Sequence, residues 1–252
     1  MQLTSTFHKD RILTMFDGKD LPEGMKFRHE MKYLCTDAQL AMIKSRLSGV
    51  MKSDTHTRED GTYLIRSLYF DDYDDRCLHE NIAGVVPREK YRIRIYNGSM
   101  DRISLERKSK VSDKIRKLST ILTPEQYYIL VDENADKTVK DEYPELMKKL
   151  LALYQSARMK PKVIVEYERR PFICQTGNVR ITFDRNLTSS SKLEAFSDEK
   201  INGRPVMPTG LQLLEVKYDE FLPDYIYRTL QMSNLQLTSY SKYSLCRKYT
   251  NV

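Results

Sequence analysis

The chain has 252 residues, 40% of them hydrophobic, enough to bury a substantial core in one large domain or two small ones. A net charge of +7, from 42 basic against 35 acidic residues, favours a polyanionic partner but is too evenly mixed for a basic tail. No run of about 18 apolar residues occurs, the start MQLTSTFHKDR carries no apolar signal core, and Cys35, Cys77, Cys174 and Cys246 form no CxxC pair, which argues against a membrane span, a secretion signal and a zinc site.

Residues 1–24 contain an amphipathic stretch from Phe7 to Phe16, with Ile12 and Leu13 on it, closed by Gly18 and the Pro22 to Gly24 turn signal. They are expected to form an appended arm or helix on a domain spanning 25–252. FRHEMKYLCT alternates as a strand, and Thr36-Asp37 caps a predicted helix with Leu40, Ile43 and Leu47 on one face, stopped by Gly49. TYLIRSLYF, residues 62–70, reads as the next strand and DDYDDRCLHENIA as a short helix before Gly84. KYRIRIYNG, ISLERKSK and SDKIRKLST have the spacing of an antiparallel meander, with Asn97-Gly98 as its hairpin signal. Helices are expected from Leu122 to Asp132 and from Glu142 to Ala157, the second with a Leu146, Leu150, Leu153 face. KPKVIVEYERRPFI and NVRITFDRN resume the sheet across a Thr176-Gly177-Asn178 turn, residues 186–210 are expected to loop out, LQLLEVKYD supplies the last strand, and helices near 222–232 and 240–249 close the chain.

Charges recur at every second position of these strands, pairing Glu30 with Lys32, Arg92 with Arg94, Glu106 with Lys108 and Glu215 with Lys217. Residues i and i+2 of a strand share a face, so the charged residues form one ordered, polar and concave surface if the sheet curls into a barrel. Arg92, Arg94, Lys108, Lys114, Arg169, Arg180 and Lys242 then suit a chain of phosphates, arginine as a bidentate fork and lysine as a movable point charge. Glu30, Glu106 and Glu215 would repel phosphate unless they hold a hard cation such as Mg²⁺ or Mn²⁺. The alternative is a solvated face in which each glutamate neutralises a neighbouring base. Near Arg169 the alternation conflicts, because Tyr167 and Arg169 share one face and Glu166, Glu168 and Arg170 the other. The first pair is expected to point inward, and both sets can do so only across a bulge.

No Walker loop, GxGxxG or GxSxG motif occurs, and His8, His29, His56 and His79 show no partner spacing. Phosphate binding would therefore rest on side chains. Nucleic acid is not an expected partner, since no dense basic stripe or RNP-type motif is present.

In chain order FRHEMKY, RSLYFDD, YRIRIY, LERK, YERRPF, VRITFDR, LLEVKY and SKY resemble the VTC domain. This is the catalytic domain of vacuolar transporter chaperone polyphosphate polymerases, within the triphosphate tunnel metalloenzyme, or CYTH-like, superfamily. The resemblance runs from Phe27 to about Tyr249. It implies an α+β fold in which an antiparallel β-barrel forms a tunnel with a charged interior and helices packed outside. It also implies ATP as donor and polyphosphate or triphosphate as the other ligand, with Mn²⁺ or Mg²⁺ as cofactor. On this resemblance Lys32, Arg92, Arg94, Lys108, Arg169 and Lys242 are phosphate-gripping bases, Ser241 stands beside Lys242, and Glu215 is the metal-binding glutamate. Lys114 and Arg180 correspond to further basic tunnel positions. The first motif departs from the superfamily's ExExK, with Arg28 in the place of the first glutamate.

The expected activity is transfer of the γ-phosphoryl of ATP to a growing polyphosphate chain. Hydrolysis of inorganic or nucleoside triphosphate and a non-catalytic polyphosphate-binding module are the alternatives. A cytoplasmic location is expected, with a membrane-protein partner left open.

Overall fold

The computed structural model describes residues 28–55, 57–111, 114–231 and 235–248. The arm expected over residues 1–24 lies outside them. Strand β1, His29–Thr36, passes directly into helix α1, Asp37–Leu47. The junction is a capping box, in which the Gln39 amide donates to the Thr36 hydroxyl at 3.2 Å and the Thr36 amide to the Gln39 side chain at 2.8 Å. Short β2, Lys52–Ser53, precedes β3, Tyr63–Asp71, and helix α2, Arg76–Ile82. The meander follows as β4, Arg88–Tyr96, β5, Ser99–Val111, and β6, Lys114–Leu122. Its first turn is the Asn97-Gly98 pair with φ of 54° and 72°, the left-handed pair that matches strand twist.

Helix α3, Pro124–Val131, starts on a second capping box from Thr123, and α4, Glu145–Ala157, follows. Then come β7, Lys160–Cys174, β8, Val179–Ser190, β9, Arg204–Pro205, and β10, Leu211–Tyr218. Helix α5, Asp224–Leu230, short β11, Gln236–Leu237, and helix α6, Lys242–Lys248, end the described chain. The region expected to loop out from 186 stays in β8 as far as Ser190. Beyond it Phe196 is fully buried, and the fully buried Arg66 guanidinium ties the segment down by donating to the carbonyls of Phe196, Asp198 and Glu199. A polar composition concealed a single anchoring aromatic residue.

The strands form one antiparallel sheet in the order β11-β1-β10-β8-β7-β3-β4-β5-β6, with β2 on β7 and β9 on β8. It curls until the Arg28 amide reaches the Ile115 carbonyl at 3.3 Å. The expected barrel is thus a curled sheet whose ends meet at one bridge among the described residues, and not a ladder closed all round.

Two apolar layers cover its convex face. Tyr91, Ile93, Ile95 and Leu105 pack under Leu130, Met147, Leu150 and Leu151 of α3 and α4. Ile181, Phe183, Leu214 and Val216 pack under Leu40, Ile43, Ile226 and Leu230 of α1 and α5. Burying such side chains is worth about 1.5–3 kcal/mol each, so the convex layers drive the curl that brings the charged residues together. Helix α6 departs from the expectation of helices outside. Its Tyr243 lies against Tyr69 with ring centroids 5.2 Å apart, on the concave side. No helix among the described residues is long and apolar enough to cross a membrane, and all four cysteines are free.

Candidate functional site

The concave face is built by alternation. In the β1–β10 register Lys32 stands opposite Glu215 and Glu30 opposite Lys217. In β4–β5 Arg92 stands opposite Glu106 and Lys90 opposite Lys108, and in β7–β8 Arg169 stands opposite Asp184. The parity conflict on β7 is resolved by a register shift between Glu166 and Glu168, where Asn186 on β8 adopts φ of 53°. Tyr167 and Arg169 point inward. Glu166 pairs with Arg66 at 2.6 Å, and Glu168 accepts from Asn186 at 3.1 Å.

Lys32, Arg92, Arg94, Lys108, Tyr167, Arg169, Glu215, Ser241 and Lys242 line one cavity, together with Tyr69, Lys90 and Lys217. Three carboxylates fix its arginines and lysines. Glu106 accepts from Arg92 at 2.6 and 2.8 Å and from Lys117 at 3.0 Å, with Arg94 at 3.8 Å. Asp184 receives Arg169 in a bidentate fork at 2.6 and 2.7 Å and Lys242 at 2.6 Å. Glu215 accepts from Arg169 at 3.2 Å and Lys217 at 3.0 Å. A fourth, Glu30, receives both oxygens' bonds from Lys108 at 2.9 Å, with Lys32 at 3.0 Å and Lys217 at 3.6 Å.

Aromatic residues complete the wall. Arg92 donates to the Tyr69 hydroxyl at 2.9 Å, and the Lys242 ammonium sits 4.9 Å from the centre of the Tyr167 ring.

The charges shift one another. Burial opposes ionisation of Glu30, as does Glu215, but Lys108, Lys217 and Lys32 hold its pKa down at about 2. Burial likewise opposes ionisation of Glu215, and Lys217, Lys242 and Arg169 overcome it, leaving the carboxyl well below its ordinary range. Lys90 and Lys108 move the other way, each to about 7, chiefly through burial and then through neighbouring cations. Lys242 is raised, because Asp184, Glu215 and Tyr167 outweigh its burial.

Arg180 stands apart from this cavity, donating to Asp54 at 2.9 Å and the Tyr63 hydroxyl at 3.1 Å. Lys114 is placed by its backbone at the start of β6, opposite Val111. On that strand Lys117 reaches the site through Glu106.

A hard divalent cation fits part of the expected ligand set. Glu30 and Glu215 are held ionised and share Lys217 between them. Thr182, opposite Glu215, has a buried hydroxyl with no hydrogen-bond partner, a further oxygen beside the carboxylate. Glu106 is bound to Arg92 and Lys117 instead. No three His, Cys, Asp or Glu side chains among the described residues are grouped to hold a metal by themselves, so phosphate oxygens and water would complete the shell.

Asp184, Lys90, Lys117 and Tyr69 escaped the sequence reading. Two carried a legible signal, since Lys90 alternates with Arg92 and Arg94, and Asp184 with Arg180 and Thr182, whereas Lys117 is placed opposite Lys108 only by the register of the meander. Tyr69 resembled an ordinary core residue.

Residues 27–251 match the family described as VTC domain. No curated protein matches the sequence. A Hippeastrum protein proposed to be an adenylyl cyclase, and described as having a dominant triphosphatase activity, is similar over 89% of this chain and 96% of its own, at 11% identity and a TM-score of 0.52. A Bacillus halodurans protein proposed to be an adenylate cyclase is similar over 82% and 87%, at 15% identity and 0.47. A Mimivirus capping enzyme triphosphatase is similar over 89% and 94%, at 13% identity and 0.35. The Hippeastrum likeness shows a shared fold.

Proposed function

The chain belongs to the VTC domain family, and from that premise we propose that it is a metal-dependent phosphotransferase passing the γ-phosphoryl of ATP to a growing polyphosphate chain. The observation that carries this reading is the convergence of Lys32, Arg92, Arg94, Lys108, Arg169 and Lys242 on one cavity with Glu215 in its wall. Carboxylates fix Arg92 and Arg169 in place, so their remaining donors are set before a ligand arrives and need little reorganisation to meet developing charge. Lys32 and Lys108 keep only 22% and 28% of their side chains exposed, and as flexible point charges they can follow phosphate oxygens as these shift. Phosphoryl transfer needs in-line positioning and charge neutralisation, and no protein nucleophile. Mg²⁺ or Mn²⁺, held by Glu215 with Glu30 beside it, would neutralise charge on the phosphate oxygens. A cytoplasmic location, where ATP is at hand, is part of this proposal.

Hydrolysis of inorganic or nucleoside triphosphate is the second reading, because it differs only in the acceptor and the Hippeastrum protein of the same fold is described as a triphosphatase. Incubation with ATP and Mn²⁺ or Mg²⁺, read by electrophoresis and an orthophosphate assay, separates the two. Long chains with matching ADP support the polymerase, and orthophosphate alone moves the site to hydrolysis. Neither product, despite bound tripolyphosphate, would leave a binding module.

A further inference from the structure

Five lysines line the cavity, and four of them are held by carboxylates: Lys32 and Lys108 by Glu30 at 3.0 and 2.9 Å, Lys217 by Glu215 at 3.0 Å and Lys242 by Asp184 at 2.6 Å. Lys90 is the exception among the described residues. Its amine donates to the neutral Ser241 hydroxyl at 2.8 Å and lies 5.9 Å from the centre of the Tyr243 ring, and no carboxylate pairs with it.

The other groups facing Lys90 are cationic or neutral. Lys108 stands opposite it on β5, Arg88 and Arg92 flank it on the same face of β4, and Lys32 approaches from β1. From α2 comes the Cys77 thiol, which burial pushes up to about 12 and so keeps protonated. Asp71, at the end of β3, accepts from the Tyr243 hydroxyl and the Cys77 and Leu78 amides. Burial first, and then the neighbouring cations, lower Lys90 to about 7. At neutral pH roughly half of it is free amine, against roughly one part in 2,500 for an ordinary lysine. An amine kept unprotonated by nearby cations is a nucleophile. Small molecules can reach it, since Lys90 lines both this cavity of about 80 Å³ and a second of about 350 Å³ that shares Lys32, Lys108 and Ser241 with it.

We infer that Lys90 is an acylation site for small acyl phosphates, which the cavity's cations recruit through the phosphate and whose acyl group then caps the amine. The inference rests on the phosphate-binding reading of the cavity and adds a modification that weakens it. The Lys90 nitrogen attacks the carbonyl carbon, the new C–N bond forms as the bond from that carbon to the phosphate oxygen breaks, and the amine proton leaves with the phosphate as hydrogen phosphate. Arg92 and Lys108 neutralise charge on the departing phosphate. The amide that remains is uncharged, so the cavity loses one cation and part of its grip on a polyanion.

The probe is acetyl phosphate, incubated with the wild-type protein at pH 7, with peptide mass spectrometry following each lysine. Lys90 is expected to be acetylated at least about tenfold faster than the exposed Lys52 and Lys200, and tripolyphosphate should slow Lys90 alone. By calorimetry, acetylation should lower the wild-type affinity for tripolyphosphate about tenfold, while the same treatment leaves a Lys90→Arg variant at its own untreated affinity. Acetylation of Lys90 no faster than that of the exposed lysines, or undiminished by bound tripolyphosphate, overturns the site. An equal loss of affinity in the treated variant overturns it too. Wild-type protein that binds no tripolyphosphate before treatment would instead sink the phosphate-binding reading on which the site rests.

Discussion

Arg169 grips Asp184 through two hydrogen bonds of 2.6 and 2.7 Å, so a base assigned to phosphate already has a carboxylate partner. Asp184 is 2% exposed and also holds Lys242. Asp184→Asn leaves two buried cations without their counter-charge, and such a loss costs about 3 kcal/mol. Urea unfolding should show it. Because tripolyphosphate can replace the missing charge, its addition should raise the melting temperature of the variant more than that of the wild type. Equal gains would mean that Arg169 and Lys242 do not face the ligand.

Lys90 and Lys108, each near pKa 7, should make phosphate binding take up protons. A bound polyanion favours their charged forms, so affinity falls as pH rises through about 7. Calorimetry in buffers of different ionisation enthalpy measures the uptake directly. Stability of the unliganded protein runs the other way. Both folded pKa values are depressed from 10.5, so between about 7 and 10.5 the unfolded chain binds more protons and these groups' contribution to stability grows with pH. A phosphate affinity that is flat from pH 6 to 8.5 would contradict this assignment.

Glu215 and Glu106 should separate when substituted. Glu215→Gln is expected to lower metal-dependent ATP turnover by about 100-fold and to weaken Mn²⁺ binding, read by electron paramagnetic resonance in the presence of tripolyphosphate. Glu106→Gln should leave Mn²⁺ binding near the wild-type value and lower stability, because Arg92 and Lys117 lose their partner. Equal weakening of Mn²⁺ by both would place Glu106 at the metal.

Helix α6 is held by two contacts to carboxylates that do not line the cavity. Tyr243 donates to the buried Asp71 at 2.5 Å, while Arg247 pairs with Asp75 at 2.6 Å. Asp71 also accepts the Cys77 and Leu78 amides at the start of α2. Tyr243→Phe removes one hydrogen bond to a buried carboxylate and opens no cavity, costing about 2 kcal/mol. Because α6 brings Ser241 and Lys242 to the site, turnover should fall while the pH dependence from Lys90 shifts with the lost order at Ser241. An unchanged pH profile would reduce Tyr243 to a packing residue.

Much of this site was legible because a strand has a period of two. Arg92 and Arg94, Glu106 and Lys108, and Glu215 and Lys217 fall on one face wherever their strands pair, and the apolar residues between them define the other. The same rule could not choose between Tyr167 with Arg169 and Glu166 with Glu168. That choice was made by the register shift opposite Asn186, which depends on how β8 meets β7. Nor could it separate Lys114 from Lys117, because the meander's register sets which lysine faces Lys108.

By itself, then, the sequence determined the antiparallel strands, their charged and apolar faces and the family, because these depend on local alternation and on motifs in chain order. The tertiary structure decided the partners. Glu106 became an anchor for Arg92, Asp184 entered as the anchor of Arg169, and α6 came to lie on the concave side against Tyr69. Ion pairing falls off over a few ångströms, while Arg92 and Glu106 are 14 residues apart in sequence and Arg169 and Asp184 are 15. Strand register sets the first two distances, and the curl of the sheet, driven by burial on its convex face, sets those between its ends, such as Lys108 to Glu30.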